Sequence, residues 1–197
     1  MKQQRIVNEA LVQEVQKAVA VLKEGGIILY PTDTVWGLGC DATNASAVSK
    51  IYELKKRTES KSMLILVDGI NRIGRHVREL PPLTEDLVEL AESPLTIIYP
   101  NAINLPDNLI ADDGSIGIRV CRHEFCKYLI NRLNRPIVST SANISGSTAP
   151  KRLGEIPDAI KNSVDFIVDA QFEGRPTFRP SAIIKLGVNG EVEIIRE

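Results

Sequence analysis

Residues 27–39 read IILYPTDTVWGLG, and this stretch predicts a buried strand followed by a polar loop. Its first four residues are an apolar run that Pro31 ends, which is typical of a buried strand. Residues 32–41 then predict a loop, in which Thr32 and Thr34 alternate and can present their hydroxyls on one side. Because open α/β sheets bind ligands beyond strand ends, this loop is a candidate site. A purely structural loop, with Gly37 and Gly39 as turn glycines, is the alternative interpretation.

Outward from this stretch, helix and strand patterns interleave without a clean alternation. Helical periodicity or capping signals predict helices over residues 8–24, 82–92, 124–133 and 155–162, and one from Asn44 that runs out at Lys55. The inward face of the helix over 82–92 is predicted to carry Leu83, Leu87 and Leu90. Apolar runs predict strands over 63–67, 95–99, 116–120, 136–140, 165–168, 181–186 and 192–195. We therefore expect an α/β fold with a twisted mixed sheet flanked by helices, and one domain over residues 1–197.

Composition indicates a soluble protein that does not hold polyanions through its overall charge. The chain has 197 residues, 43% of them hydrophobic, and a formal net charge of −1. Its three cysteines are an odd number at low density, which favours a reducing compartment over a disulfide framework. The sequence predicts no signal peptide and no membrane span, so we expect a cytoplasmic location. Cys121-x-His123-x-x-Cys126 offers three ligands without a second cluster, so no metal site is predicted.

Two further segments carry residues suited to binding anions. Lys55, Arg57 and Lys61 stand at and after the end of a predicted helix, where they either line a polyphosphate channel or form a solvated patch that matches the helix dipole. Residues 139–146 read STSANISG directly after a predicted strand. Ser141 and Asn143, two apart, can converge on one anion, although a Ser/Asn-rich turn explains the same residues. No catalytic triad is recognisable around the two histidines.

The combined strings resemble the YrdC/TsaC family of threonylcarbamoyl-AMP synthases. They are YPTDTVWGLGCDA (30–42), KKR with Lys61 and the strand MLILV, PLT (94–96), GIRV (117–120) and TSANISG (140–146), and they occur in the family's order. The resemblance implies a YrdC-like twisted mixed sheet with a concave, positively charged groove. It also implies that the chain makes threonylcarbamoyl-AMP from L-threonine, bicarbonate or CO2, and ATP with its Mg²⁺, and releases pyrophosphate. The product would serve t6A modification of tRNA, so downstream tRNA threonylcarbamoyl-transferase proteins, and tRNA or double-stranded RNA, are the implied partners.

The resemblance also assigns site residues by position. Its Lys-x-Arg and Ser-x-Asn pairs, which imply the catalytic groups, fall on Lys55/Arg57 and Ser141/Asn143. ATP contacts are implied at Arg57, Lys61, Ser115, Ser141 and Arg196. Threonine contacts are implied at Thr34, Arg119, Ser139 and Ser181, with Thr32 in the same loop. The accessory C-terminal domain of longer members is not expected.

Two local departures and two competing functions accompany the resemblance. Glu92-Ser93 replaces the family's Pro-Gly before the PLT string, and Lys185 stands where its later motif has an aspartate. A non-catalytic RNA-binding protein would use the same basic groove, but the net charge of −1 and the 5% aromatic content disfavour it. A carbamoyltransferase domain involved in metal-centre maturation is a third candidate, although such domains usually sit in much longer chains.

Overall fold

The structure is a computed structural model, and it describes residues 8–56, 63–144 and 146–197. The helices are α1 (Glu9–Lys23), α2 (Ala45–Lys55), α3 (Thr84–Leu90), α4 (Glu124–Leu133) and α5 (Asp158–Lys161). The strands are β1 (Ile28–Tyr30), β2 (Gly37–Gly39), β3 (Leu64–Val67), β4 (Leu95–Tyr99), β5 (Ile116–Val120), β6 (Ile137–Ser141), β7 (Phe166–Ile167), β8 (Ala182–Leu186) and β9 (Val192–Arg196). They form a nine-stranded mixed sheet in the order β7-β1-β2-β6-β3-β5-β4-β8-β9. The expected α/β class and mixed sheet are therefore confirmed.

Helix α1 covers part of one face of the sheet together with α4. Asn8 caps α1 by accepting a hydrogen bond from the amide of Ala10 at 3.0 Å, and Gly25, with a φ of +75°, follows its end. The buried residues of the two helices pack with Ile28, Tyr30 and Leu66 of the sheet. A larger cluster lies on the opposite face and includes Trp36, Ile65 and Ile118. A hydrophobic cluster therefore packs against each of the two faces of the sheet.

The predicted loop over residues 32–41 is wrong in its second half, because Gly37–Gly39 is strand β2. Neither Gly37 nor Gly39 has a positive φ, so they are not turn glycines. A Cβ at Gly39 would lie 2.6 Å from a ring carbon of Tyr30 and 2.7 Å from the carbonyl oxygen of Val138. Glycine is needed here because the tyrosine ring and a neighbouring strand approach the backbone closely.

The region around α3 also differs from the prediction. Leu83 is 50% exposed and Leu90 is 78% exposed, so of the three leucines only Leu87 packs against the core. Leu83 precedes the helix with a φ of +68°, which turns its side chain away from the helical face. The helix expected over 155–162 divides into a 3₁₀ turn at Leu153–Glu155 and the short α5. No helix within the described ranges is long and apolar enough to cross a bilayer.

Candidate active site

The cavity that contains most of the predicted site residues, which we call the main cavity, lies on the same sheet face as α1 and α4, over the part that the two helices leave uncovered. Its volume is about 310 Å³, which is at the lower end of the range for small-molecule sites. The polar side chains around it are hydroxyls and arginines, and among the described residues no carboxylate lines it. The lining residues that bear these groups are Thr32, Thr34, Thr96, Ser115, Arg119, Ser139, Thr140, Ser141, Ser181 and Arg196.

Strand alternation explains how polar side chains reach a cavity inside an apolar sheet. Successive residues of a strand face opposite sides, so Ile65, Ile97 and Ile118 enter the large core while their neighbours face the cavity. The register aligns these neighbours across the sheet, because Arg119 pairs with Thr96 and Thr96 pairs with Ile183.

Gly117 lies next to this aligned set of residues on the cavity floor, where its lack of a side chain leaves room above the sheet. It is paired with Leu64 of β3 and Ile98 of β4, and both of these residues also line the cavity. A Cβ at Gly117 would approach the Cβ of Leu64 to 3.3 Å and the methyl group of Thr96 to 3.5 Å. A side chain at this position would therefore crowd Leu64 and Thr96 at the floor of the cavity.

The hydroxyls of Thr32 and Thr34 have different roles in the loop between β1 and β2. Thr32 Oγ1 donates to the carbonyl of Val35 at 2.7 Å and accepts from the amide of Thr34 at 3.1 Å. A hydroxyl has one proton, so Thr34 Oγ1 must donate in the 2.9 Å bond between the two hydroxyls. Thr32 therefore shapes the loop, whereas Thr34 keeps its acceptor lone pairs for a ligand.

Arg119 is a buried cation at the cavity wall. Its Nη2 lies 3.2 Å from Oδ1 of Asp33, and the two side chains are 4% and 13% exposed. The contact is an ion pair without hydrogen-bond alignment, and Arg119 Nε has no hydrogen-bond partner within residues 8–56, 63–144 and 146–197. A guanidinium with unused donors at a cavity wall suits a carboxylate or phosphate ligand.

Arg196 supplies a second cation from the edge strand β9. Its Nε and Nη2 donate to the carbonyl of Ser181 at 3.0 and 2.7 Å. Burial lowers the pKa of Arg196, and repulsion from Arg119 lowers it further. Both arginines line the same cavity. The Ser181 hydroxyl bonds to that of Thr96 at 2.8 Å, and this bond ties the start of β8 to β4.

The turn after β6 is held in place by a buried lysine. Lys55 Nζ donates to the carbonyls of Ser141 at 2.6 Å and Asn143 at 2.9 Å. Within the turn, the Ser141 hydroxyl donates to Asn143 Oδ1 at 2.5 Å, and Asn143 Nδ2 donates to the carbonyl of Ser147 at 2.5 Å. This network orients the Ser141 hydroxyl, which lines the cavity.

On another wall, Ser115 is held by a surface ion pair. Asp113 Oδ1 accepts from the Ser115 hydroxyl at 2.5 Å and from its amide at 3.0 Å, while Oδ2 lies 2.7 Å from Lys185 Nζ. The hydrogen bond from Lys185, followed by that from Ser115, lowers the pKa of Asp113 to about 2. Lys185, the residue that departs from the family motif, thereby forms a surface pair that supports Ser115.

The structure brings most of the predicted site residues around one cavity. The members on its lining are Thr32, Thr34, Ser115, Arg119, Ser139, Ser141, Ser181 and Arg196. Lys55 and Asn143 lie behind the turn that carries Ser141 rather than on the lining. Arg57 and Lys61 lie outside the described residues.

Several residues at or beside the cavity were not predicted from the sequence. Thr96, Gly117 and Thr140 also line the cavity, and Asp33 contacts Arg119. A signal for Thr96 was present, because it is a hydroxyl residue inside an otherwise apolar strand. Gly117 similarly interrupts the apolar run of β5. The sequence offers no such signal for Asp33, whose partner is distant along the chain.

Fold and cavity together define an α/β protein with a pocket lined by hydroxyl groups and two arginines. The Sua5/YciO/YrdC family model, described as "Telomere recombination", matches residues 20–197. A threonylcarbamoyl-AMP synthase from Pseudoalteromonas translucida is 32% identical over 178 residues, which cover 89% of this chain and 94% of that protein. The chain therefore belongs to the Sua5/YciO/YrdC family, and the resemblance in its motifs is confirmed.

Solved structures agree with this membership. A double variant of P. abyssi Sua5 aligns with a TM-score of 0.83 at 26% identity and covers 92% of this chain. P. abyssi Sua5 complexed with L-threonine aligns with a TM-score of 0.80 at 28% identity over 87% of this chain. The present chain covers 55% and 50% of those two longer chains, or about half of their length.

Proposed function

We propose that this chain is a threonylcarbamoyl-AMP synthase that joins L-threonine, bicarbonate or CO2, and ATP, and releases pyrophosphate. The observation that carries the proposal is the lining of the main cavity, where hydroxyls accompany Arg119 and Arg196 and no carboxylate of the described residues is part of the lining. Such a lining suits ligands that present a carboxylate and phosphates. This chain aligns with 94% of the length of the threonylcarbamoyl-AMP synthase named above, which supports the same activity.

The amino acid occupies the part of the cavity formed by Arg119, Thr34, Ser139 and Ser181. Arg119 binds the threonine carboxylate, because its unused donors can form two charge-assisted hydrogen bonds. Thr34, whose proton is used within the loop, accepts a hydrogen bond from an N–H or O–H group of the substrate. Ser139 and Ser181, both buried, complete the enclosure of the side chain.

The nucleotide lies toward Ser141, Ser115 and Arg196. Arg57 and Lys61 contribute further cations there, as the family motif implies, while Lys55 and Asn143 keep the Ser141 turn in position. Among the described residues, no group of three His, Cys, Asp or Glu side chains could hold a metal ion. Mg²⁺ is expected from the chemistry of ATP and arrives on its phosphates, a mode that needs few protein ligands.

The chemistry needs no protein nucleophile. The deprotonated amine of threonine adds CO2 to give a carbamate, and a carbamate oxygen then attacks the α-phosphorus in line as pyrophosphate leaves. Two unit charges about 4 Å apart repel by about 4 kcal/mol at an effective dielectric constant of 20. The cations of the site offset this repulsion and stabilise the charge of the leaving group, so catalysis rests on positioning and electrostatics.

The proposal extends to the cellular role of the product. Threonylcarbamoyl-AMP made here feeds t6A modification of tRNA through a downstream tRNA threonylcarbamoyl-transferase in the cytoplasm. The chain itself contacts tRNA or double-stranded RNA only through local basic residues, because its net charge is −1.

The test is pyrophosphate release from ATP with and without L-threonine and bicarbonate, with mass spectrometry of the product. We expect release that depends on both co-substrates and a product with the mass of threonylcarbamoyl-AMP. Thr34→Val should raise the threonine requirement while leaving the KM for ATP nearly unchanged. ATP or RNA binding without any release would refute the enzyme assignment and favour an RNA-binding module.

A further inference from the structure

Asp33 lies beside the buried guanidinium of Arg119 but outside the main cavity. Arg119 lines the main cavity, whereas Asp33 lines two other cavities that it shares with Arg122 and Arg175. The side chains of Asp33 and Arg119 are 13% and 4% exposed, so water screens their 3.2 Å contact weakly. The carboxylate therefore acts on the guanidinium from the side that the substrate does not occupy.

The carboxylate of Asp33 is itself fixed by contacts on other elements. The backbone amide of Arg122, just after β5, donates to Asp33 Oδ2 at 3.3 Å. The amide of Thr177 donates to the Asp33 carbonyl at 3.0 Å, and that of Phe178 donates to the carbonyl of Thr34 at 3.0 Å. The loop between β1 and β2 is thus held to β5 on one side and to the segment before β8 on the other.

The contact between Asp33 and Arg119 leaves the donors of Arg119 available. Neither Asp33 Oδ1 nor Arg119 Nε has an aligned hydrogen bond in the described part of the chain. Arg196, which also lines the cavity, repels Arg119, and in the described residues the Asp33 ion pair is the attraction that opposes this repulsion. Without the Asp33 charge, the guanidinium would keep its neighbour of like charge and lose its counter-ion.

We propose that Asp33 is a positioning residue that holds Arg119 in the orientation in which it binds the substrate carboxylate. The inference rests on the proposed function, because it assigns Arg119 to L-threonine. Asp33 does not touch the substrate. It acts through Arg119, so its removal affects the amino-acid half of the cavity and spares the nucleotide half.

The decisive variant is Asp33→Asn, which removes the charge, preserves the shape and keeps an oxygen for the amide of Arg122. We expect the KM for L-threonine to rise about tenfold, while the KM for ATP and the kcat at saturating threonine stay within about twofold. A carboxylate that merely stabilised the fold would not separate the two substrates in this way.

Asp41→Asn is the matched control. Its carboxylate is 2% exposed and pairs with Arg135 at 2.7 Å, and Asp41 does not line the main cavity. This variant therefore removes a buried carboxylate charge elsewhere and should leave the KM for L-threonine unchanged. If Asp33→Asn does not fold, Asp33→Glu provides the same comparison. Its longer side chain displaces the guanidinium, so the KM for threonine should still rise several-fold without a change for ATP.

The outcomes separate this inference from the proposed function. An unchanged KM for threonine in an active Asp33 variant would overturn the positioning role. A lower KM would also overturn it, because Asp33 would then compete with the substrate for the guanidinium. If the unmodified protein forms no threonylcarbamoyl-AMP at all, the proposed function is refuted instead.

Discussion

Replacing Arg119 with methionine should reduce both threonine use and stability, through two separable effects. Methionine keeps much of the length of the side chain but removes the guanidinium. Its loss takes away the donors proposed for the threonine carboxylate, at about 3 kcal/mol for charge-assisted bonds, or about 10²-fold in kcat/KM for threonine. It also leaves the Asp33 carboxylate, 13% exposed, without its counter-ion. An uncompensated buried charge of this kind lowers the free energy of unfolding by about 3 kcal/mol.

Adding Asp33→Asn to Arg119→Met separates the two effects. The double variant has no buried charge left to compensate, so it should recover most of the stability lost in the single variant. Its kcat/KM for threonine should stay about 10²-fold low, because the carboxylate-binding donors are still missing. Stability is measured by urea denaturation, and kcat/KM is taken from the initial slope of pyrophosphate release against threonine concentration.

Two results would refute this reasoning. Equal stability of the single and double variants would mean that the Asp33 charge is not held by Arg119. A kcat/KM for threonine that Arg119→Met leaves within about threefold of the original value would remove Arg119 from the amino-acid site. In neither variant should the KM for ATP change by more than about twofold.

Three further predictions concern stability. Lys55→Met should lower the free energy of unfolding by about 3 kcal/mol and reduce turnover, because two carbonyls of the turn after β6 lose their donor. The control is Lys50→Met, at an exposed lysine of α2 that also donates to a carbonyl, and it should lower the free energy of unfolding by about 0.5 kcal/mol. Urea denaturation measures both changes. Gly39→Ala should cost about 3 kcal/mol, because its Cβ would lie 2.7 Å from a backbone oxygen, whereas Gly154→Ala, with open space around it, should change thermal stability little. Burial lowers the pKa of both histidines, so the unfolded chain binds more protons than the folded one as the pH drops below about 6.5. The free energy of unfolding should therefore decrease as the pH is lowered, by at most about 1.4 kcal/mol per pH unit for each histidine. Denaturation at pH 7.5 and 5.5 checks this, and glutamine at both positions, His76 and His123, should reduce the difference.

The sequence predicted the sheet well because its strands are short apolar runs with clear ends. Ile28–Tyr30 and Leu64–Val67 fall within the predicted strands, and all of their residues except the partly buried Leu64 are buried. It failed at Gly37–Gly39, since the need for glycine there comes from the ring of Tyr30 and the carbonyl of Val138. Those contacts are tertiary, and no local pattern encodes them.

The candidate site was predictable where a polar residue follows or interrupts an apolar strand. Ser139, Ser141 and Arg119 stand out in this way, and all of them line the cavity. The position of Lys55 was not predictable, because the sequence shows a cation at a helix end but not the two carbonyls that receive its ammonium group. The pairing of Asp33 with Arg119 was hidden for a similar reason, since it depends on a loop folding back against β5.

The absence of a carboxylate from the described lining has a chemical reason under the proposed function. The threonine amine must be neutral before it can add CO2, and a carboxylate about 4 Å away would favour its ammonium form by about 4 kcal/mol at an effective dielectric constant of 20, or about three pKa units. Arg119 at a similar distance has the opposite effect. Asp33 lies outside the lining, so it can hold the guanidinium without directly contacting the amine. Among the described residues, the lining offers the nitrogen of the substrate hydroxyls such as that of Thr34 rather than carboxylates. Under the proposed function, this lining lowers the cost of the deprotonation on which the reaction depends.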